Sequence, residues 1–208
     1  RGYQSCFLAK EYGVFVVAID PTDDRLDNRP VIECIRENSI TWGISDKVLA
    51  LKLGVPDTCF ASETFDYVYS TTTLEMIRNQ SGENAYLNAL QEIYRILKPG
   101  GILGLGEPMH LEVELPNDLI PYVSQADDPW KVCFSSLSKT KEIVLKAGFD
   151  IIDADYAPDA KLWWDEYAKY DPFCINNPEG DPLTLKMDQG RWVSFGYVIA
   201  KKRTIHEF

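Results

Sequence analysis

The chain lacks any long apolar run. Its longest, Val14 to Ile19, falls far short of the roughly 20 residues that a helix needs to cross a bilayer. Positive charge is also scarce, since 21 Lys and Arg face 32 Asp and Glu, for a formal net charge of -11. A surface of that sign is not drawn to a phosphate backbone or to anionic lipid, both of which select clustered Lys and Arg. The expectation is therefore no nucleic acid and no membrane partner. The five cysteines (Cys6, Cys34, Cys59, Cys133 and Cys174) are odd in number and lack the close spacing of a zinc site or a disulfide framework. They read as free, mostly buried thiols of a reducing, cytoplasmic compartment, and no metal is expected. No internal repeat and no low-complexity segment occurs. Of the two histidines, His206 sits in a charged tail and reads as solvated.

What is present suffices for a core, because 45% of the 208 residues are apolar and 25% are charged. Short apolar runs alternate with helical periodicity. A helix is expected from about Tyr3, a strand over Val14–Ile19, a helix over about Pro30–Asn38 and a strand over Val48–Leu53. The block Phe65 to Pro108 is the most explicit. Phe65 to Ser70 alternates as a buried strand, and Leu87, Leu90, Ile93, Tyr94 and Leu97 recur at helical steps. Pro99-Gly100-Gly101 then ends that helix and turns the chain into the apolar run Ile102 to Leu105. Ser138 to Ala147 reads as a helix capped by Gly148, followed by a strand over Phe149–Asp155 and a last strand over Trp192–Ala200. Such alternation predicts an α/β fold with a mostly parallel sheet and helices on both faces.

The runs FDYV (Phe65 to Val68), LEMI (Leu74 to Ile77) and RILKPGG (Arg95 to Gly101) resemble the second half of a class I S-adenosylmethionine-dependent methyltransferase, in the broad family of small-molecule methyltransferase domains. The resemblance implies a Rossmann-like, doubly wound sheet whose final strand enters antiparallel. It also implies a single domain over residues 1–208, with the first strand and most of a glycine loop lying before Arg1. Gly2 would be the last glycine of that loop, or else an ordinary turn residue. Two regions outside the core pattern, about 109–136 and 156–191, are rich in Pro, Asp and aromatic residues, and the resemblance makes them acceptor-side insertions.

The cofactor implied is S-adenosylmethionine, with S-adenosylhomocysteine as product. A glycine at a helix N-terminus lets backbone approach a ligand, and unpaired N–H groups there suit its carboxylate, which nominates Gly2, Tyr3 and Gln4. Asp20, at the end of its strand, is placed to accept both ribose hydroxyls, or alternatively to cap the turn-forming run Pro21-Thr22-Asp23-Asp24. Pro21 and Thr22 would lie beside the adenine. The family's usual adenine-reading aspartate falls on Gly54, so either the backbone of Gly54 and Val55 or the side chain of Asp57 takes that role. Ser70, Thr71 and Thr72 close a strand at the carboxyl end of the sheet, where hydroxyls can meet the sulfonium or an ST-turn can cap the next helix.

Methyl transfer needs alignment above all, and a base only if the acceptor carries a proton. Glu107 and His110, expected just beyond the fifth strand, are the candidate catalytic pair, against ordinary readings as a turn cap and a loop histidine. Trp163, Trp164 and Tyr167 fall at helical spacing and form either an aromatic wall for a planar or cationic acceptor or a core anchor. An acidic rim of Asp165, Glu166, Asp171 and Glu179 would favour a cation. The partner expected is a small molecule, and a homo-oligomer is compatible. Competing readings are a nicotinamide-dependent oxidoreductase, a non-catalytic nucleoside-binding domain, and thiol chemistry through Cys59, Cys133 and Cys174.

Overall fold

The structure is a computed structural model that describes residues 1–22, 25–26, 29–125 and 129–204. Asp23, Asp24 and His206 lie outside the described residues. The chain divides into two compact units, Arg1–Cys59 and Phe60–Phe208.

The first unit contains α1 (Tyr3–Tyr12), β1 (Val16–Ile19), β2 (Arg25–Leu26), β3 (Arg29–Pro30), α2 (Val31–Thr41) and β4 (Val48–Leu51). β1 and β4 pair in parallel, with Val16 opposite Val48 and Ile19 opposite Leu51. β2 and β3 form a small antiparallel ribbon. The core gathers Cys6 and Ala9 of α1, Ala18 of β1, Val31 and Ile35 of α2, and Val48 and Ala50 of β4. Parallel pairing across an intervening helix is the α/β arrangement the alternation predicted. β1 begins two residues later than expected.

The second unit runs β5 (Phe65–Thr71), α3 (Leu74–Ile96), β6 (Leu97–His110), α4 (Ile120–Val123), α5 (Trp130–Cys133), β7 (Ser135–Ser136), α6 (Leu137–Lys146), β8 (Phe149–Tyr156), α7 (Ala160–Tyr170), α8 (Pro172–Asn176), α9 (Asp181–Asp188) and β9 (Val193–Lys202). The strand order is β5-β6-β9-β8, with β7 also on β6. β5 and β6 are parallel, and β9 inserts antiparallel between β6 and β8, as the resemblance implied. Leu103, Leu105, Val198, Ala200 and Phe149 are buried on the face where α3 and α6 pack. On the opposite face Trp163 of α7 meets Phe195 edge-on, with ring centroids 5.8 Å apart.

The turn at Pro99-Gly100-Gly101 is as read. Gly100 has φ 76°, and the pairing register jumps from Phe65↔Leu97 to Tyr67↔Ile102 as the turn bulges out. Two elements are longer than the sequence suggested. β6 continues through Gly106 and Pro108 to His110, and α3 spans 23 residues. α3 tolerates its polar middle by breaking at Gly82, whose φ 78° and ψ 178° belong to a region essentially confined to glycine. The two insertions carry their own short helices, α4 and α5 in the first and α7 to α9 in the second.

Candidate functional site

In the first unit Gly2 is the N-cap of α1 in the left-handed conformation (φ 74°), and a Cβ there would stand 2.7 Å from Cγ1 of Ile35. Only glycine fits both constraints. No side chain caps α1, so its first N–H groups, including those of Tyr3 and Gln4, point out of the helix end without a side-chain acceptor. Asp20 follows β1 directly. Its Oδ1 accepts from the amide (2.9 Å) and the hydroxyl (2.8 Å) of Thr22. The turn-capping role is therefore real, and both of its bonds fall on one carboxylate oxygen. Gly54 approaches Pro21 so closely that a Cβ would fall 2.7 Å from Cβ of Pro21. The missing side chain at Gly54 is thus a packing requirement, and Val55 follows it half-buried. Asp57 is exposed. The chemistry of these residues is compatible with an adenosyl ligand: an uncapped helix end, a carboxylate whose bonds to described residues all fall on one oxygen, and a close-packed glycine edge.

In the second unit Ser70 and Thr71 end β5, and Thr72 adopts φ 47°, left-handed and costly for a β-branched residue. Its amide donates to the carbonyl of Gly106 (3.0 Å), and the Thr73 hydroxyl donates to the carbonyl of Thr71 (2.9 Å). The expected ST-turn cap does not form, because the Thr73 hydroxyl donates back to Thr71 and makes no side-chain bond to the start of α3. The strained Thr72 stands at the carboxyl end of the parallel pair β5–β6.

Glu107 and His110 lie inside β6 rather than beyond it, because the strand is longer than expected. Three residues apart on one strand, they alternate to opposite faces. Glu107 is 1% exposed and accepts from the Tyr86 hydroxyl at 2.9 Å. Burial pushes its carboxyl up to about 7, against the downward pull of Arg78 and of the Tyr86 hydrogen bond. His110 stacks on Trp192 with an interplanar angle of 5° and centroids 4.9 Å apart. Its Nδ1 contacts the carbonyl of Leu111 at 2.8 Å. A carbonyl can only accept, so Nδ1 is the donor, and the neutral ring presents Nε2 with its lone pair. The Tyr156 hydroxyl donates to the His110 carbonyl (2.9 Å) and fixes the backbone there.

The three aromatic candidates of the second insertion separate. Trp164 packs with Trp130, Phe134 and Tyr167, and its Nε1 donates to the Ser194 carbonyl at 3.1 Å. The Tyr167 hydroxyl donates to Asp181 at 2.8 Å. Both anchor a cluster that includes Leu119, Val123 and Leu185. Trp163, by contrast, is 47% exposed and meets Phe195 edge-on. Within the acidic rim, Asp165 pairs with Lys161 (2.6 Å) and Asp171 caps α8 through the Phe173 amide (2.8 Å), while Glu166 and Glu179 are exposed.

Sequence reasoning missed Asp188 and Trp192. Asp188 is 1% exposed and collects the amides of Gly190, Trp192 and Val193 at 2.8, 2.8 and 3.2 Å, which sets the ring that His110 stacks on. The Asp-Gln-Gly order of residues 188–190 was the available turn signal. It also missed the buried set Glu75, Arg78 and Tyr86. All five cysteines are free, and Cys59 is the exposed one. No group able to hold a metal ion occurs among the described residues. No helix among them is long and apolar enough to cross a membrane.

Residues 1–105 match a family model described as a methyltransferase domain. No curated protein matches the chain by sequence. Among solved structures, the phosphoethanolamine N-methyltransferase 2 of Haemonchus contortus, in complex with phosphomonomethylethanolamine and S-adenosylhomocysteine, is 19% identical with a TM-score of 0.72. That match covers 98% of this chain and 47% of that one. The geranyl diphosphate C-methyltransferase of Streptomyces coelicolor A3(2) is 12% identical with a TM-score of 0.72, covering 97% and 68%. The [4+2]-cyclase SpnF is 16% identical with a TM-score of 0.72, covering 98% and 72%. At these identities the likeness is one of fold, and the cyclase shows that the fold alone does not dictate a reaction.

Proposed function

Because the chain belongs to the class I S-adenosylmethionine-dependent methyltransferases, we propose that it methylates a small-molecule acceptor by in-line displacement, with S-adenosylhomocysteine as the second product. The observation that carries the donor assignment is the first unit's pairing of a left-handed Gly2 at an uncapped helix end with Asp20 behind β1. The amides of Tyr3 and Gln4 would hold the donor's carboxylate, Asp20 its ribose diol, and Pro21, Thr22, Gly54 and Val55 its adenine. Within the second unit, the hydroxyl-bearing end of β5 at Ser70, Thr71 and Thr72 is proposed as a cofactor-binding edge.

The donor supplies a methyl group already activated by its sulfonium. The protein's part is to align the acceptor with the S–CH₃ axis, which alone can contribute ~7–11 kcal/mol, and to exclude water. Where the acceptor carries a proton, His110 is the proposed base, since its tautomer already presents Nε2. Glu107 supports the strand from the opposite face. Trp163 is the proposed acceptor-side wall, while Trp164 and Tyr167 hold that wall in place. The aromatic surface favours a planar or cationic acceptor, and Glu166 and Glu179 add negative charge. Residues 1–208 are proposed to act as one methyltransferase domain, with acceptor-side insertions at 109–136 and 156–191. Five free thiols support a reducing, cytoplasmic location.

Calorimetry against S-adenosylmethionine, S-adenosylhomocysteine and NAD tests this reading. Binding of the two sulfur ligands is expected, and Asp20→Ala should weaken it by about 1–3 kcal/mol for a lost charge-assisted hydrogen bond. Preference for NAD, or indifference to Asp20→Ala, would refute the donor site.

A further inference from the structure

Under the carboxyl end of β6, ionisable side chains from two elements are packed almost out of reach of water. Glu75 and Arg78 are each 4% exposed, Tyr86 is 0% and Glu107 is 1%. The Arg78 guanidinium lies over the Tyr86 ring, 3.9 Å from its centroid. Its Nε stands 3.2 Å from Glu83 and its Nη2 stands 3.8 Å from Glu107. Its Nη1 crosses to another part of the unit and donates to the carbonyl of Cys133 at 2.9 Å, across 55 residues of sequence. That carbonyl belongs to α5, whose Trp130 stacks on Phe134 at 5.1 Å and contacts Trp164 at 5.5 Å. Gly82 breaks α3 between Arg78 and Glu83 and allows both stretches of the helix to face this set.

The charges do not balance if every acid is ionised. Glu75, Glu83 and Glu107 surround one guanidinium, and among the described residues Lys139 of α6, 3.6 Å from Glu83, is the second cation at this set. Glu83 is partly exposed and shared with Lys139, so the fully enclosed acids are Glu75 and Glu107. One oxygen of each, Oε2 of Glu75 and Oε1 of Glu107, has no hydrogen-bond partner. Two enclosed carboxylates beside one guanidinium retain a proton between them, because a second unpaired charge in that interior is too costly.

We propose that Arg78 is a positioning residue, and that the proton held between Glu75 and Glu107 decides how firmly it grips the Cys133 carbonyl and so the segment Trp130–Phe134. With one enclosed acid neutral, the guanidinium faces one enclosed carboxylate besides the partly exposed Glu83, which it shares with Lys139, and Nη1 stays on the carbonyl. With both ionised, Glu75 competes for the guanidinium, and the grip on α5 is lost. Burial, then the Glu107 charge, pushes Glu75 up to about 8. The groups facing it are Arg78 on its own helix and Glu107 on β6, while Glu107 also faces Tyr86 and Glu83. The proton is therefore present at neutral pH and leaves as pH rises through about 8, so the aromatic segment is held in neutral solution and freed in alkaline solution. The grip rests on geometry within one unit. Its effect on turnover rests on the acceptor role proposed above.

Hydrogen–deuterium exchange of the peptide Pro129–Ser136, corrected for intrinsic rates between about pH 6 and pH 9, tests the grip without knowledge of the acceptor. Protection is expected to fall about tenfold across the transition in the unsubstituted chain, while strand β6 stays protected. Glu75→Gln, which imitates the neutral acid and cannot ionise, should keep Pro129–Ser136 protected throughout. Arg78→Lys, which keeps the charge but loses the fork, should expose it at every pH. A flat profile in the unsubstituted chain overturns the proposal and needs no variant to fold. An unchanged transition in Glu75→Gln overturns it as well. S-adenosylmethionine binding measured on the same samples reports the donor site separately.

Discussion

Substitution of Asp188 puts a number on one side chain. The carboxylate is 1% exposed and accepts three backbone N–H groups, two on Oδ1 from Trp192 and Val193 and one on Oδ2 from Gly190. Hydrogen bonds to a charged acceptor contribute about 1.5–3 kcal/mol each. The three share one carboxylate and are not additive, and water will reach some of the freed amides. Asp188→Ala should therefore cost about 3–5 kcal/mol of unfolding free energy. Asp188→Asn can keep one oxygen on Trp192 and Val193, but it turns an NH₂ toward the Gly190 amide. Its cost should be smaller, about 1–3 kcal/mol. Urea titration followed by far-UV circular dichroism measures both. Because Trp192 is the ring that His110 stacks on, near-UV ellipticity should also fall in the folded Ala variant. A loss under about 1 kcal/mol for Asp188→Ala, or Asn costing as much as Ala, would refute the argument that the amides are held by charge.

Trp164→Ala should cost about 3–5 kcal/mol as a core truncation, whereas Trp163→Ala should stay within about 1 kcal/mol and act on acceptor KM instead; equal losses in chemical denaturation would contradict the division drawn between them. Unfolding free energy should fall as pH rises, because Glu75 at about 8 and Glu107 at about 7 both stand above the ordinary 4.5. Their contribution is complete below about pH 4.5 and is lost through about pH 7–8. Each tenfold gain in proton affinity on folding is equivalent to ~1.4 kcal/mol, which makes the loss up to about 5 kcal/mol for Glu75. Denaturation midpoints that rise over that interval, or that fall as steeply in Glu75→Gln, would count against it. A thiol reagent should label Cys59 first and the buried Cys6, Cys34, Cys133 and Cys174 only on unfolding. Mass spectrometry of the labelled peptides gives the order.

The α/β alternation was legible because it rests on local periodicity, and the antiparallel last strand followed from the resemblance. Element ends were less so. Gly106 and Pro108 look like breakers, yet β5 ends opposite Gly106 and β7 begins opposite Met109, so Pro108 sits in a gap in the ladder on that edge and forfeits no bond there. The polar run Asn79 to Asn84 lies within α3 because Gly82 absorbs the break. In the candidate site, Gly2 and Asp20 were readable from their places beside a helix and a strand. The division of labour among Trp163, Trp164 and Tyr167 was not, since it depends on Phe195, Ser194 and Asp181 arriving from elsewhere in the chain. Arg78 reaching Cys133 and His110 meeting Trp192 are likewise long-range contacts to which no local pattern points.

The place of β9 has a consequence for how the protein is made. Residues 193–202 are synthesised after all other strands of the second unit, yet they lie in the middle of its sheet, with β6 on one side and β8 on the other. Until they leave the ribosome, both neighbours expose open edges, and Leu103, Leu105 and Phe149 lack the strand that closes their layer. The nascent chain must keep two hydrophobic edges apart while it waits for β9. A premature stop before Val193 would leave β6 and β8 without the strand that joins them, in a form that invites capture by chaperones or by another copy.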